Sequence, residues 1–139
     1  MTDLKKKVDR PLAVDYMFIS KYVRKWSEAE AVRIVKDLDL PIQGVHVLLV
    51  EDIVDTGFTL RYILNYLKAR KPASMKVGAL LDKRARRLVA VPRDHVTYRI
   101  ADVCVVGYGL DIWERDRNPD HGSVPKPAAY RWPGARGAG

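Results

Sequence analysis

Residues 45–59 read Val-His-Val-Leu-Leu-Val-Glu-Asp-Ile-Val-Asp-Thr-Gly-Phe-Thr, and this stretch decides the fold class. Its first six residues form a nearly continuous apolar run, which is typical of a strand covered on both faces in a parallel sheet. The pattern that follows predicts an amphipathic helix from Thr59 to about Arg70, where Pro72 ends it. Its apolar residues recur at the spacing of one helix face: Leu60, Ile63, Leu64 and Leu67.

Further segments complete the predicted architecture. Apolar and β-favouring residues predict strands at 14–20, 31–36 and 75–81, and another within 99–108. The polar residues 21–30 fit either a mobile loop or a short helix. A strand–helix–strand order predicts a right-handed parallel crossover. We therefore expect an α/β fold with an open, mostly parallel twisted sheet and flanking helices. It would form one domain over residues 1–139, with a loosely ordered tail from about 123 to 139.

Composition restricts the class of protein. A chain of 139 residues, 47% of them hydrophobic, is long enough for one domain with a buried core. The single cysteine, Cys104, excludes a disulfide within the chain and an all-cysteine metal site. The histidines share no helical spacing, which argues against a zinc site: His46, His95 and His121. No apolar run approaches a membrane span and no secretory signal is present, so we expect a cytoplasmic protein.

The net charge of +8 raises nucleic acid as a possible partner. The densest basic run is Lys83-Arg84-Ala85-Arg86-Arg87, which fits a solvated loop or a positive field for a phosphate-bearing small molecule. No aromatic residues interleave with it, so a stacking platform for single strands is not indicated. The sequence therefore does not favour nucleic-acid binding.

Three carboxylates, Glu51, Asp52 and Asp55, come at the carboxyl end of the apolar strand, where open α/β sheets place their ligands. The turn at 55–59 then opens a helix, so its backbone N–H groups, threonine hydroxyls and Gly57 form a cradle for an anion. The alternative is that Asp55 or Thr59 merely caps the helix and the other acids are solvated. The clustering favours a ligand with a phosphate and hydroxyl groups, such as a sugar phosphate.

Residues 48–59 resemble the signature of the type I phosphoribosyltransferases, and most of all its hypoxanthine-guanine branch. The resemblance extends from about Val14 to Lys126. Further segments agree in the order of the family: residues 32–39, 67–74, 80–83, 105–111 and 114–118.

The resemblance implies transfer of ribose 5-phosphate from phosphoribosyl pyrophosphate to N9 of hypoxanthine or guanine, giving IMP or GMP and pyrophosphate. It implies Mg²⁺ as the cofactor and a homodimer or homotetramer. Glu51 and Asp52 match the pair that holds the ribose hydroxyls, and Asp55 matches the general acid/base near N7 of the purine. The 5-phosphate cradle corresponds to Asp55, Thr56, Gly57, Phe58 and Thr59.

The purine and pyrophosphate positions also follow from the resemblance. Lys83 matches the lysine that binds the exocyclic O6, although a lysine in a basic loop can equally face solvent. Val105 would offer backbone groups to the purine edge. Asp111 matches the magnesium-linked aspartate of the purine site, and Arg117 matches the arginine that meets pyrophosphate.

The sequence departs from the family pattern in three places. The usual N-terminal helix, strand and pyrophosphate loop have no counterpart, so we expect an N-terminally shortened domain. Ser20 and Tyr22 match the start of a flexible lid, but bulky and charged residues follow them. Cys104 stands where the family has an aromatic residue that stacks on the purine.

These departures leave alternatives open. The leading interpretation is a 6-oxopurine phosphoribosyltransferase, and the departures leave open whether its activity is full or impaired. The second is a non-catalytic homologue that binds a nucleotide or phosphoribosyl pyrophosphate and serves regulation. The third, RNA binding, rests only on the net charge of +8 and the run Arg84-Ala85-Arg86-Arg87.

Overall fold

The computed structural model describes residues 1–23, 30–112 and 115–126. A short helix α1 (Thr2–Lys5) is followed by the strands β1 (Phe18–Val23), β2 (Glu30–Lys36) and β3 (His46–Val54). Helix α2 (Phe58–Lys68), strand β4 (Ser74–Asp82), a 3₁₀ turn (Arg84–Arg86) and strand β5 (His95–Arg99) complete the regular elements of this part of the chain. Among these residues, no helix is long and apolar enough to cross a membrane.

A three-stranded parallel sheet of order β3-β4-β5 forms the centre of the molecule. The register pairs Val54 with Asp82, and Asp82 with Arg99, so the carboxyl ends of all three strands meet at one edge. The predicted strand–helix–strand unit with parallel pairing is confirmed. This edge is where the chain leaves each strand, and it is therefore where loop residues can converge.

The third parallel strand does not lie where the sequence analysis placed it. It spans His95–Arg99, so only Arg99 belongs to the predicted segment 99–108. The β-branched and aromatic residues Val96, Thr97 and Tyr98 favour the extended strand. The apolar residues after Arg99 instead belong to a loop, in which Val106 and Gly107 form isolated bridges. The strand predicted within 99–108 was misplaced because the prediction relied on apolar residues alone.

Strand β3 is longer and less covered than predicted. It continues past residue 50 through Glu51 and Asp52 to Val54. Leu48 is 47% exposed, whereas Val47 and Leu49 pack against buried side chains of the core. Burial therefore alternates along the first part of β3, and the prediction of cover on both faces is wrong at Leu48.

Helix α2 packs its apolar face on the sheet, as its pattern predicts, although it begins at Phe58 and ends at Lys68. Leu60 and Leu64 join Val54, Val77 and Ala79 in one buried cluster. Each leucine side chain buried in this way contributes about 1.5–3 kcal/mol. This packing fixes where α2 begins, and so fixes the turn that connects it to β3.

Strands β1 and β2 form a separate antiparallel pair, in which Ser20 lies opposite Arg33 and Tyr22 opposite Ala31. The strand predicted at 14–20 begins only at Phe18. It continues to Val23, so the loop or short helix expected from residue 21 is wrong over its first three residues. Residues 24–29 lie outside the described residues.

Candidate active site

The turn between β3 and α2 is built around Gly57. Its φ of +94° is in the left-handed region, and a Cβ there would lie 2.6 Å from the carbonyl oxygen of Val89. Gly57 is the N-cap of α2, and no side chain makes a cap hydrogen bond there. The alternative that Asp55 or Thr59 serves as the cap is therefore wrong. The first N–H groups of α2, on Phe58 and the residues after it, remain available to an anion.

Asp55 lies just beyond the end of β3, next to this turn. Its Oδ1 is buried and has no hydrogen-bond partner among the described residues. The Nε of Arg86 lies 3.5 Å from that oxygen, which is an ion-pair distance. Asp55 is thus a partly buried carboxylate with the guanidinium of Arg86 at ion-pair distance and that of Arg87 close enough to act on it electrostatically.

Lys83 follows β4 at the same edge of the sheet, and its backbone N–H donates to the carbonyl of Val54 at 3.0 Å. Its side chain is only 10% exposed, with Nζ 3.9 Å from Oδ1 of Asp102. Nη1 of Arg86 lies 3.7 Å from the same oxygen. A continuous row of alternating charges therefore runs Asp55, Arg86, Asp102, Lys83.

This row decides two questions that the sequence left open. Lys83 is buried rather than facing solvent. Arg86, within the basic run, forms ion pairs inside the site, so the run is not simply a solvated loop. Asp102 belongs to no recognisable motif of the sequence, and it reaches the site because β5 ends at Arg99, three residues before it.

Glu51 and Asp52 are adjacent on β3, so their side chains point to opposite faces of the sheet. Glu51 is partly buried and, with Thr59, lines a largely apolar cavity of about 500 Å³. Asp52 is exposed, and its Oδ1 accepts a hydrogen bond of 2.6 Å from the N–H of Ile53. The structure therefore does not bring the two predicted ribose ligands to one face of β3.

Asp111 and Arg117, which the resemblance assigns separately to magnesium and to pyrophosphate, form an ion pair in the structure. Nη2 of Arg117 lies 2.8 Å from Oδ1 of Asp111, and Nη1 donates to the carbonyl of Gly109 at 2.8 Å. The loop that carries them is closed by two hydrogen bonds between Val106 and Ser123. Ser123, the first residue of the predicted tail, is thus paired, and residues 127–139 lie outside the described part.

No group of three or more metal-ligating side chains is present in the described ranges 1–23, 30–112 and 115–126. Cys104 is a free, partly exposed thiol. Val105 lines a second cavity of about 650 Å³ together with Leu81 and Tyr98. The lid residues Ser20 and Tyr22 lie on β1, and the remainder of the predicted lid, 24–29, lies outside the described residues.

A buried ionic cluster lies behind the turn, and the sequence analysis missed it. Asp82, the last residue of β4, is 3% exposed at its side chain and accepts hydrogen bonds from Arg87 and Arg93. Nη2 of Arg87 also donates to the carbonyl of Val54 at 3.1 Å. Burial lowers the pKa of Arg87, although an arginine stays protonated at any ordinary pH. An acid directly after the apolar residues 77–81 was the one available signal.

Comparison with known proteins identifies the family. A family model described as the phosphoribosyl transferase domain matches residues 3–113. The chain is 42% identical to the hypoxanthine-guanine phosphoribosyltransferase of Bacillus subtilis, over 94% of this chain and 72% of that protein. It is 45% identical to the hypoxanthine phosphoribosyltransferase of Haemophilus influenzae, over 85% of this chain and 66% of that protein.

Two further similarities agree. The chain is 43% identical to the bifunctional protein TilS/HprT of Listeria innocua. That match covers 94% of this chain but only 20% of the other protein. The crystal structure of a hypoxanthine phosphoribosyltransferase from Staphylococcus aureus superposes with a TM-score of 0.87 at 39% identity, covering 94% of this chain and 71% of that one. The chain therefore belongs to the type I phosphoribosyltransferase family, in the hypoxanthine-guanine branch that serves purine salvage.

Proposed function

We propose that this chain itself transfers the ribose 5-phosphate group of phosphoribosyl pyrophosphate to N9 of hypoxanthine or guanine. The products are IMP or GMP and pyrophosphate. One observation carries the proposal: the row from Asp55 to Lys83 lies directly beside the uncapped amino end of α2. A proton carrier, a buried amine and an anion cradle are then neighbours at one edge of the sheet.

The 5-phosphate is proposed to bind on the turn and the first residues of α2. The N–H groups of a helix amino end donate to a phosphate and the helix dipole favours its charge. A side chain at position 57 would meet the Val89 carbonyl, so glycine preserves the shape of the turn. The proposed contacts come from Asp55, Thr56, Gly57, Phe58 and Thr59.

Asp55 is proposed as the general acid/base. As the bond from C1 of the ribose to pyrophosphate breaks, the bond from C1 to N9 forms, and the purine must exchange a proton. The buried Oδ1 of Asp55, which has no hydrogen-bond partner among the described residues, supports a role in holding that proton at N7. Arg86 at 3.5 Å keeps the carboxylate oriented until the purine binds.

Lys83 is proposed to donate to the exocyclic O6 of the purine, which selects 6-oxopurines over adenine. Its burial supports this role, because a buried ammonium with one acid at 3.9 Å gains from a further acceptor. Val105 is proposed to offer its backbone to the purine edge. Cys104 takes the stacking position, and a thiol stacks less strongly than an aromatic ring.

Mg²⁺ is proposed as the cofactor, bound together with the pyrophosphate group. Magnesium is commonly held by one or two carboxylates, substrate phosphates and water, so a complete protein cage is not required. Asp111 suits this donor set, and the arginine paired with it at 2.8 Å, Arg117, suits pyrophosphate. When bound, the ion neutralises charge on the leaving group. The resemblance assigns the ribose hydroxyls to Glu51 and Asp52, and their side chains would have to reach the sugar from the two faces of β3 at its carboxyl end.

Assembly and location are also proposals. We propose a homodimer or homotetramer in the cytoplasm, and large apolar side chains such as Phe18, which is well exposed, support an interface between copies. RNA binding is less well supported, because Arg87 of the basic run forms a buried ion pair and the half-exposed Arg86 is paired with two acids.

The test is transfer of labelled hypoxanthine, guanine and adenine in the presence of phosphoribosyl pyrophosphate and Mg²⁺. We expect turnover with the two 6-oxopurines, and Asp55→Asn should reduce it by about 100-fold or more. The matched control is Asp39→Asn, an acid-to-amide change at an exposed ion pair with Lys36, which should leave turnover unchanged. GMP binding without turnover in the unmodified chain would contradict the proposal and favour the non-catalytic nucleotide-binding alternative.

A further inference from the structure

We infer that Arg87 is a positioning residue for the phosphate turn. Its buried guanidinium sets the shape of residues 54–57 from behind and supplies positive charge beneath the bound phosphate. The inference rests on the proposed function, because it takes the turn Asp55–Thr59 to be the phosphate site. The sequence places Arg87 only within a basic run that fits a positive field, whereas the structure gives it a specific position behind the turn.

The contacts of Arg87 and its neighbours hold the turn at several points. Nη2 of Arg87 donates to the carbonyl of Val54 at 3.1 Å. The next two residues, Leu88 and Val89, donate their N–H groups to the carbonyl of Thr56 at 3.0 and 3.1 Å. The segment 87–89 therefore supports the turn through three hydrogen bonds to its carbonyl groups.

Arg87 also lies against Gly57 itself. A Cβ built on Gly57 would lie 3.2 Å from Cδ and 3.5 Å from Nη1 of Arg87. The guanidinium thus lies directly behind Gly57, the N-cap of α2. An anion bound in front of the turn would be separated from this charge by protein rather than by water, and a charge interaction through protein is weakly screened.

The balance of charge in the buried cluster points the same way. Asp82 is shared by Arg87 and Arg93, but the Arg93 side chain is 29% exposed and is solvated as well, so Arg87 is the buried cation of the cluster. Nε and Nη1 of Arg87 are buried and have no hydrogen-bond partner in the part of the chain that the structure describes. Asp55 also acts on Arg87 electrostatically, although its ion pair at 3.5 Å is with Arg86. A buried guanidinium with two nitrogens that lack hydrogen-bond partners gains from a further anion nearby, and a phosphate on the turn would supply one.

The test compares GMP with guanosine, which differ only in the 5-phosphate, by calorimetry on the full chain. Arg87→Met should weaken GMP binding by about tenfold or more while guanosine changes by less than about threefold, because only the phosphate senses the lost charge. Arg93→Met is the matched control. It removes the other cation that is paired with Asp82. The ratio of its affinity for GMP to its affinity for guanosine should stay within about threefold of the ratio in the unmodified chain.

A second readout separates this role from a structural one. The second ionisation of the phosphate of bound GMP, followed by ³¹P NMR against pH, should move upward in Arg87→Met because a positive charge that favours the dianion is gone. Arg87→Lys, which keeps the charge but cannot bond Val54 and Asp82 with one planar group, should restore part of the GMP affinity. If Arg87→Met does not fold, the lysine variant decides: it should weaken GMP and leave guanosine unchanged.

Equal losses for GMP and guanosine, or no loss for either, would overturn the inference. So would an unmodified chain that shows no preference for GMP over guanosine. If the unmodified chain binds GMP but transfers no purine, the proposed reaction fails while the comparison of the two ligands still decides the role of Arg87.

Discussion

Two arginine–aspartate clusters lie near opposite ends of α2, and they differ mainly in burial. At its amino end, Asp82 and Arg87 have side chains only 3% and 11% exposed. At its carboxyl end, Asp37 and Arg70 have side chains 38% and 30% exposed. The same pair of ions therefore works in two different dielectric environments, and its energetic role differs accordingly.

The exposed cluster consists of Asp37, Tyr66 and Arg70, whose side chains are partly exposed, and it connects the end of β2 to α2. The hydroxyl of Tyr66 donates to Oδ2 of Asp37 at 2.5 Å, and the guanidinium of Arg70 lies 4.6 Å from the Tyr66 ring centroid. These contacts join the residue after β2 to the last turn of α2. Water can replace each of them at modest cost. The buried cluster has no such substitute, so its ions must pair with one another or with a ligand.

The largest effect should come from breaking the buried pair. Asp82→Ala would leave Arg87 and Arg93 without their shared carboxylate, and should lower the free energy of unfolding by about 3–5 kcal/mol. Asp37→Ala, the same change at the exposed cluster, should cost about 1 kcal/mol or less. Urea unfolding of both variants measures the difference. Equal losses would mean that burial does not distinguish the clusters.

A comparison of two glycines tests the geometry at the buried end. Gly57→Ala should lower the free energy of unfolding by about 2–4 kcal/mol, because the new Cβ meets the Val89 carbonyl in a left-handed backbone. Gly44→Ala is the control. Its φ is +70° but nothing lies within 4 Å of its Cβ, so only the backbone cost of about 1 kcal/mol remains. Thermal or urea unfolding measures both changes in stability. Similar losses of stability in the two variants would show that the contact with the Val89 carbonyl has no effect.

The fold was largely predictable because its main unit is local. The apolar run at 45–50, the helical spacing of Leu60 to Leu67 and the apolar run at 75–81 together specify β3, α2 and β4. The position predicted for strand β5 was wrong because a loop that folds back on itself can contain as many apolar residues as a strand. The segment after Arg99, with Val106 paired to Ser123, is such a loop.

The site was predictable in part. Acids at a strand end, a glycine turn and the resemblance led to Asp55 and Lys83, which the structure joins through Arg86 and Asp102. The partners of a charge depend on tertiary packing rather than on spacing along the chain. For that reason neither Asp102 nor the pairing of Asp82 with two arginines could be derived from the pattern.

Lys83 extends the comparison to a buried lysine at the same end. Lys83→Ala should weaken GMP binding by about 10–100-fold while ribose 5-phosphate binding changes little, because the proposed hydrogen bond from the charged amine to O6 would be lost. Lys36→Ala, at an exposed lysine beside Asp39, should leave both affinities unchanged. Calorimetry with the two ligands is the measurement. Equal weakening of both ligands by Lys83→Ala would argue against the O6 contact.

The smallest predicted effect is the pH dependence of stability that Asp37 contributes, and it tests the role of charge in the exposed cluster. The hydrogen bond from Tyr66, aided by Arg70, lowers the pKa of Asp37 to about 2. Because the folded pKa is below the ordinary value near 4, Asp37 stabilises the fold fully above about pH 5 and loses this contribution as the pH falls toward 2. Unfolding of Asp37→Asn in urea from pH 7 to pH 3 should show a deficit of under about 1 kcal/mol that narrows at acid pH, since the pair is partly exposed. Asp39→Asn is the control for an exposed acid without the tyrosine contact, and should show a smaller deficit. A deficit that is constant over the whole range would mean that Asp37 acts through packing rather than through its charge.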